Sequence, residues 1–349
     1  MTHRAADVPA PASPGATVRA HVGVIDIGSN AIRLQVVRLF QDGEFSVIAD
    51  ERDPIRLGSE VFRSGMLSTE AMADALQTLA RFSQIARRHG ADEGRSVATS
   101  AMREAKIGAL FAREIEASVG LKVEVISGER EAQLIARGVL SGFPVQAKKL
   151  VLADIGGGST EISVIERGKS RFGVSLPLGS ARLTELFCRS DPLAGADERA
   201  LREFIRAELE QRIPRELLPC PTLIGSAGTF GAVGNFIRRR VSTPTGQEAR
   251  GRPFQGRARF SAAELGRACA CLSAMDIGER RATRGIEERR AEIIVAGAVL
   301  LHELGQFFSV QSFRGARRGL RDGLMLEELE KRGVTPAAAG QRRSHPARR

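Results

Sequence analysis

Cysteine and histidine are scarce in this sequence of 349 residues. The four cysteines are Cys188, Cys220, Cys269 and Cys271, and no two of them have the C-x-x-C spacing of a zinc or redox site. No cluster of histidines and cysteines supports a zinc centre. We therefore expect the cysteines to be reduced thiols of a cytosolic protein.

Long apolar runs are also absent. No stretch approaches the roughly 18 apolar residues of a membrane helix, so no membrane partner is expected. Residues 1–20 are rich in Ala and Pro and lack the apolar segment of a signal peptide, which predicts a disordered leader. The basic residues 333–349 are likewise predicted to be a disordered tail. These features predict a cytoplasmic location.

Acidic residues are outnumbered, because 52 Lys and Arg against 41 Asp and Glu give a net charge of +11. Two interpretations stay open, namely the arginine-rich composition of a GC-rich genome and a polyanionic partner. No base-recognition motif is legible, so a specific nucleic-acid partner is not expected. The basic clusters are Arg238–Arg240, then Arg280, Arg281, Arg284, Arg289 and Arg290, then Arg314, Arg317, Arg318 and Arg321.

Strand and helix patterns alternate along the chain and restart halfway. Apolar and alternating runs predict three strands within residues 22–50, with Asp42-Gly43 as the turn between the last two. Two helices and two short strands follow. The pattern restarts at Lys149, and the apolar segment 287–308 predicts one long buried helix. This order predicts an α/β fold. The predicted domains are residues 21–140 and 141–332.

A strand–turn–strand motif occurs twice. VGVIDIGSNAIRLQVVR begins at Val22, and KLVLADIGGGSTEISVIER begins at Lys149. Each apolar run ends in an aspartate, Asp26 or Asp154, followed by a glycine-containing turn whose N–H groups can approach an anion. The carboxylate cannot bind phosphate itself, but it can bind the divalent ion that does. With a third loop, GSAGT, the pattern predicts a polyphosphate-type ligand between two similar halves.

These motifs, together with TSAMREA, VISGEREAQL and GLRDGLM, resemble those of the exopolyphosphatase and guanosine pentaphosphate phosphohydrolase family (Ppx/GppA) of the actin-like ATPase superfamily. The resemblance extends from residue 22 to about residue 330. It implies a duplicated actin-like (ribonuclease H-like) α/β fold, with mixed sheets flanked by helices and a cleft between two domains. It also implies a phosphoric anhydride hydrolase that removes orthophosphate from inorganic polyphosphate, or the 5′-terminal phosphate from pppGpp.

The resemblance assigns roles to individual residues. Glu131 matches the catalytic base, and Arg103 matches an arginine that contacts phosphate. Asp26, Asp154 and Glu161 match the metal-site carboxylates, which implies Mg²⁺, with Mn²⁺ as an alternative. The positions that match phosphate-binding loops are Gly28, Ser29, Asn30, Gly156, Gly157, Gly158, Ser159, Gly228 and Thr229.

Elementary chemistry favours the same roles. Water is a poor nucleophile at neutral pH, so a carboxylate must orient it in line with the bond that breaks. Glu131 lies near the start of a predicted helix, which would direct it to the cleft. Three further carboxylates beside it would raise their mutual pKa values, and Mg²⁺ with Arg103 would offset that repulsion.

The sequence departs from the family pattern at three points. Ala31 replaces a serine in the first loop, and Gln35 replaces an apolar residue. The chain also stops before the C-terminal helical domains of long members, which favours shorter polyphosphates, a nucleotide, or a homodimer that completes the channel. Two other classes stay open, a kinase of the same superfamily and a polyphosphate sensor with little turnover.

Overall fold

The computed structural model describes residues 17–41, 45–91, 94–143, 149–241 and 258–334. It contains two β-sheets with helices packed against them. Most of the predicted leader, the Asp42-Gly43 turn and the predicted tail from residue 335 onward lie outside the described residues.

The first sheet has the strand order β3-β2-β1-β4-β5. Its strands are β1 (Val18–Ile27), β2 (Ile32–Phe40), β3 (Phe45–Asp53), β4 (Gly94–Ala98) and β5 (Val123–Val125). The first three pair antiparallel, and β4 and β5 continue the sheet in parallel with β1. Residues 18–20, predicted as leader, belong to β1 because Val18 pairs with Phe40 at the end of β2.

The second sheet repeats this topology in the order β10-β11-β9-β6-β7-β8. Its strands are β6 (Lys149–Ile155), β7 (Thr160–Glu166), β8 (Lys169–Leu176), β9 (Thr222–Ser226), β10 (Arg259–Ser261) and β11 (Ser312–Gly315). Three antiparallel strands are again followed by two parallel ones, β9 and β11, with β10 added at the edge. The duplication predicted from the two motifs is therefore present in the fold.

Helices cover both sheets. They are α1 (Val61–Ser64), α2 (Thr69–Arg88), α3 (Ser100–Glu104), α4 (Gly108–Val119), α5 (Gly128–Gly142), α6 (Ser180–Phe187), α7 (Gly195–Arg212), α8 (Ala227–Phe236), α9 (Ala262–Ala274), α10 (Ile277–Ala282), α11 (Ile294–Phe307) and α12 (Leu320–Lys331). Polar side chains cap the starts of α2, α5, α9 and α10, and at α9 Ser261 and Glu264 form the predicted capping box. Within the described ranges, no helix is both long and apolar enough to cross a membrane.

The segment 287–308 is not the single helix that its apolar pattern predicts. A 3₁₀ turn at Glu288–Arg290 precedes α11, which begins at Ile294. The N–H of Arg290 donates to the carbonyl of Glu287 at 2.7 Å, and that of Ile293 donates to the carbonyl of Arg290 at 3.1 Å. These i to i+3 bonds interrupt the α-helical pattern, and Arg290 becomes part of a cleft wall instead of a helix.

Helices α5 and α12 join the two sheets. Helix α5 packs against β7 and β8, and α12 packs against β1 and β4. Where the helices cross, Gly138 lies against Gly319 and Gly323, and a Cβ atom added at Gly138 would be 2.0 Å from the carbonyl oxygen of Gly319. Helix α5 thus contacts the second sheet although it largely precedes residue 141, where the sequence predicts the second domain to begin.

A buried carboxylate ties α11 to α7. Glu303 has an exposed fraction of 1% and accepts hydrogen bonds from Arg202 and from Nε of Arg206, the latter at 2.6 Å. Burial opposes ionisation, but hydrogen bonds from His302, Arg206 and Arg202 lower the pKa of Glu303 to about 2. The negative charge of Glu303 therefore stabilises the folded chain. It is paired with two arginines away from the cleft, so its role is structural.

We expect Glu303→Gln to lower the free energy of unfolding by about 2–3 kcal/mol at pH 7, because it removes the carboxylate charge with which two arginines pair. Because the folded pKa lies below the ordinary value of 4.5, the wild-type advantage should be complete above pH 4.5 and should fade as pH falls toward 2. Urea unfolding of both proteins at several pH values measures this. An unchanged difference between pH 5 and pH 2.5 would contradict it.

Candidate active site

The two predicted loops have the same backbone geometry. At the end of β1, the N–H of Gly28 donates to the carbonyl of Ala31 at 3.1 Å. At the end of β6, the N–H of Gly156 donates to the carbonyl of Ser159 at 3.0 Å. Both motifs therefore fold as strand, tight turn, strand, as predicted.

The residues opposite the two aspartates carry opposite charges. Asp26 pairs with Arg33 across β1 and β2, whereas Asp154 pairs with Glu161 across β6 and β7. The two halves thus present equivalent positions to the same space with different chemistry. The first half supplies one cation and one anion, and the second supplies two anions.

Helix α6 anchors the second loop through its carbonyl groups. The N–H of Ser180 donates to the carbonyl of Gly156 at 3.0 Å, and those of Ala181 and Arg182 donate to the carbonyl of Gly157 at 2.9 and 3.0 Å. The C=O and N–H of one peptide point in opposite directions. The loop N–H groups that follow these carbonyls therefore point away from α6 and can donate to an anion.

A cleft of about 340 Å³ separates the two halves. Every residue predicted for the site lines this cleft except Arg103. The lining residues from the prediction are Asp26, Gly28, Ser29, Asn30, Glu131, Asp154, Gly156, Gly157, Gly158, Ser159, Glu161, Gly228 and Thr229. The hydroxyl groups of Ser29 and Ser100 lie 2.7 Å apart in this wall.

Glu131 lies in the first turn of α5, which begins where the hydroxyl of Ser127 accepts a hydrogen bond from the N–H of Arg130. Its exposed fraction is 6%. Arg103 donates to Oε2 of Glu131 at 3.1 Å and to the carbonyl of Ile126 at 3.0 Å. Arg103 therefore holds the predicted base in place, and does not line the cleft itself.

Burial and the neighbouring Glu161 raise the pKa of Glu131 well above its ordinary value, although Arg103 opposes the shift. Burial and Asp154 raise the pKa of Glu161 to about 7. Burial also raises the pKa of Asp154 and Asp26, despite a hydrogen bond from Ser226 to the former and the charge of Arg33 near the latter. The site thus contains closely spaced carboxylates that a cation would stabilise.

The side chains that could act as metal ligands indicate which metal fits the site. Among the described residues, no group of three or more His, Cys, Asp or Glu side chains is arranged to hold an ion on its own. Mg²⁺ is usually held by one or two carboxylates together with substrate phosphates and water, and not by an all-protein cage. Asp154 and Glu161, adjacent across β6 and β7, fit that arrangement.

The fold also brings three arginines into the cleft that were not among the predicted site residues. Arg33 on β2, Arg52 on β3 and Arg290 in the 3₁₀ turn all line it. Burial, together with the charge of Arg33 and Arg290, lowers the pKa of Arg52 to about 9, and burial lowers that of Arg290 to about 10. Nε and Nη1 of Arg52 are buried without a hydrogen-bond partner in the described part of the chain.

The predicted third loop is instead the end of β9 and the first turn of α8, where Gly228 allows Arg290 to approach. A Cβ atom added there would lie 1.6 Å from Nη2 of Arg290. Further arginines, Arg317, Arg318 and Arg321, line the cleft at the start of α12. Arg290 and these three lie in clusters visible in the sequence, whereas Arg33 and Arg52 look like ordinary strand residues and converge only through the fold.

The chain matches the model of the Ppx/GppA phosphatase family over residues 36–332. Exopolyphosphatase 1 of Mycobacterium leprae is 28% identical over 311 residues, which span 88% of this chain and 89% of the relative. Exopolyphosphatase 2 of Mycobacterium tuberculosis is 30% identical over 296 residues, which span 82% and 90%.

Solved structures agree. An exopolyphosphatase from Cytophaga hutchinsonii superposes with a TM-score of 0.78 at 27% identity, covering 91% of this chain and all of the other. The Aquifex aeolicus member of the Ppx/GppA family superposes with a TM-score of 0.71 at 27% identity, covering 90% and 98%. The predicted actin-like α/β fold is confirmed, and the chain belongs to the Ppx/GppA phosphatase family.

Proposed function

We propose that this protein is an exopolyphosphatase that releases the terminal orthophosphate of inorganic polyphosphate. The observation that carries the proposal is the composition of the cleft. A buried carboxylate held by an arginine, Glu131 with Arg103, shares the cleft with two anion-binding turns and a cluster of arginines. A linear polyanion satisfies both the N–H groups and the unpaired guanidinium donors of Arg52.

In this proposal the terminal phosphoryl group lies between the two turns, and Glu131 orients a water molecule toward phosphorus. The N–H groups of the turns donate to the phosphoryl oxygens, on which negative charge accumulates as the bond to the leaving phosphate breaks. Arg33, Arg52 and Arg290 bind the remaining phosphates. As the oxygen of the water bonds to phosphorus, a water proton passes to Glu131 and the shortened chain leaves with the electron pair of the broken bond; orthophosphate follows, and Glu131 returns the proton to solvent.

The carboxylates Asp154 and Glu161, with Asp26 directly or through water, are proposed to hold a divalent cation, Mg²⁺ or Mn²⁺. When bound, the cation would neutralise these carboxylates and polarise phosphoryl oxygens. The cation would affect proton transfer to Glu131 only indirectly. By reducing the negative charge near Glu131, it would lower the pKa of that carboxyl and favour the ionised form that can accept a proton.

We expect metal-dependent release of orthophosphate from long polyphosphate and from tripolyphosphate. The measurement is orthophosphate production with Mg²⁺ and with a chelator, with pppGpp and ATP supplied in parallel. Because the cleft binds a polyanion through exposed and buried arginines, we also expect the KM for polyphosphate to rise with salt.

The other substrates decide between the alternatives. Release of orthophosphate from pppGpp alone would favour the alternative function, hydrolysis of the 5′-terminal phosphate of pppGpp at the same site. Binding of polyphosphate without release from any compound would indicate a sensor. Phosphate release that continues unchanged in chelator would contradict the metal part of the proposal while leaving the hydrolase part intact.

A further inference from the structure

Arg182 is a buried arginine between the two halves that takes no part in the proposed chemistry. It lies in the first turn of α6 and has an exposed fraction of 7%. Its Nε donates to the carbonyl of Gly158 at 2.7 Å. This side chain therefore continues the series of hydrogen bonds by which α6 holds the carbonyl groups of the second loop.

The other end of the guanidinium contacts the first half. Nη2 of Arg182 donates to both carboxylate oxygens of Glu104, at 2.5 and 2.6 Å. The ring of Phe62 lies beneath it, with 4.0 Å between the guanidinium carbon and the ring centroid. A planar guanidinium can make these three contacts at once, whereas an ammonium group cannot.

Glu104 is the neighbour of Arg103 in α3, so one short helix reaches both α5 and the second loop. Arg103 contacts Glu131, and Glu104 contacts the second loop through Arg182. The Gly158 carbonyl belongs to the peptide whose N–H is that of Ser159. Fixing the carbonyl therefore fixes the direction of a donor that lines the cleft.

We propose that Arg182 and Glu104 form a positioning pair that aims the Ser159 N–H at the phosphoryl group and couples this alignment to the approach of the two halves. The inference rests on the proposed phosphoanhydride hydrolysis and identifies residues that support it without touching substrate. Glu104 acts only through Arg182, so the two side chains contribute as one unit.

The test is a pair of single variants and their combination. We expect Glu104→Gln to lower kcat/KM for tripolyphosphate about tenfold and Arg182→Gln to lower it about 10²-fold, the loss typical of a misdirected donor. The double variant should be within about twofold of Arg182→Gln alone, because the effects are not independent. Arg182→Lys should restore less than half of the decrease in log kcat/KM that Arg182→Gln causes.

Glu292→Gln is the matched control. Glu292 also pairs with an arginine across the two halves, Arg56 at 3.0 Å, and with Arg281 at 3.2 Å, but the side chains of Glu292 and Arg56 are 40% and 49% exposed and neither residue lines the cleft. We expect its kcat/KM to stay within twofold of wild type. Independent, multiplicative losses for Glu104 and Arg182, or losses that follow the unfolded fraction measured by thermal denaturation, would overturn the inference.

A binding measurement separates this inference from the proposed function. Calorimetric titration with tripolyphosphate in the Glu131→Gln background needs no turnover, and Glu104→Gln should weaken the affinity about fivefold by misdirecting one N–H donor. If wild type releases no phosphate, the proposed function fails, while a weakened affinity still supports the positioning pair. An unchanged affinity in both Glu104→Gln and Arg182→Gln would overturn it.

Discussion

Glu131→Gln is expected to reduce orthophosphate release from polyphosphate by about 10³-fold or more, because the amide cannot accept the proton of the attacking water. Affinity for tripolyphosphate should stay within about threefold of wild type, since the loops and arginines are unchanged. Phosphate release under saturating substrate and calorimetric titration measure the two effects separately.

The stability of the same variant provides a second readout. Because folding raises the pKa of Glu131, the ionised side chain lowers the free energy of unfolding as pH rises from the ordinary value through the folded one. Glutamine carries no such penalty, so above neutral pH the variant should be at least as stable as wild type, apart from the lost bond to Arg103. Loss of activity with retained stability identifies a functional carboxylate.

Glu129→Gln is the control for this prediction. Glu129 lies in the same turn of α5 but is exposed, so its loss should change release less than twofold. If Glu131→Gln kept release within tenfold of wild type, or if both variants lost activity equally, Glu131 would not be the base.

The sequence predicted the parts of this protein that local patterns encode. The two glycine-containing turns, their flanking strands and their duplication follow from apolar runs that end in Asp26 and Asp154. The capping box at Ser261 and Glu264 is also a local signal. Such features need no knowledge of distant contacts, because the residues that form them are neighbours in the chain.

Other parts depend on contacts between distant segments. Arg33 and Arg52 meet Arg290 only because β2, β3 and the 3₁₀ turn converge on the cleft. The 3₁₀ turn before Ile294 was not predicted, because the mostly charged residues 287–293 fit the exposed start of a helix equally well until the position of Arg290 in the cleft wall is known. Likewise, the contact of Arg103 with Glu131 joins residues 28 positions apart.

Gly138→Ala is expected to be among the most destabilising single-methyl substitutions in the described chain. The added Cβ would lie 2.0 Å from the carbonyl oxygen of Gly319 and 2.8 Å from the nitrogen of Gly323, both backbone atoms that cannot rotate aside. Helix α12 would have to move away from α5. We expect the free energy of unfolding to fall by about 3 kcal/mol, the upper range for overpacking.

The same displacement should also lower activity, because Gly319 and the arginines beside it line the cleft. A shift of about 1 Å in these residues would cost about 10²-fold in kcat/KM even in the fraction that remains folded. Urea unfolding and phosphate release, corrected for the folded fraction, measure the two consequences on one preparation.

Gly231→Ala tests whether the effect comes from the crossing of the helices. Gly231 lies within α8, and apart from the backbone of its own helix a Cβ atom added there meets no described atom within 4 Å. Alanine should therefore raise the free energy of unfolding by about 0.5–1 kcal/mol, as in an open helix. If Gly138→Ala behaved like Gly231→Ala, α5 and α12 would not be locked at this crossing, and the two sheets would be free to separate there.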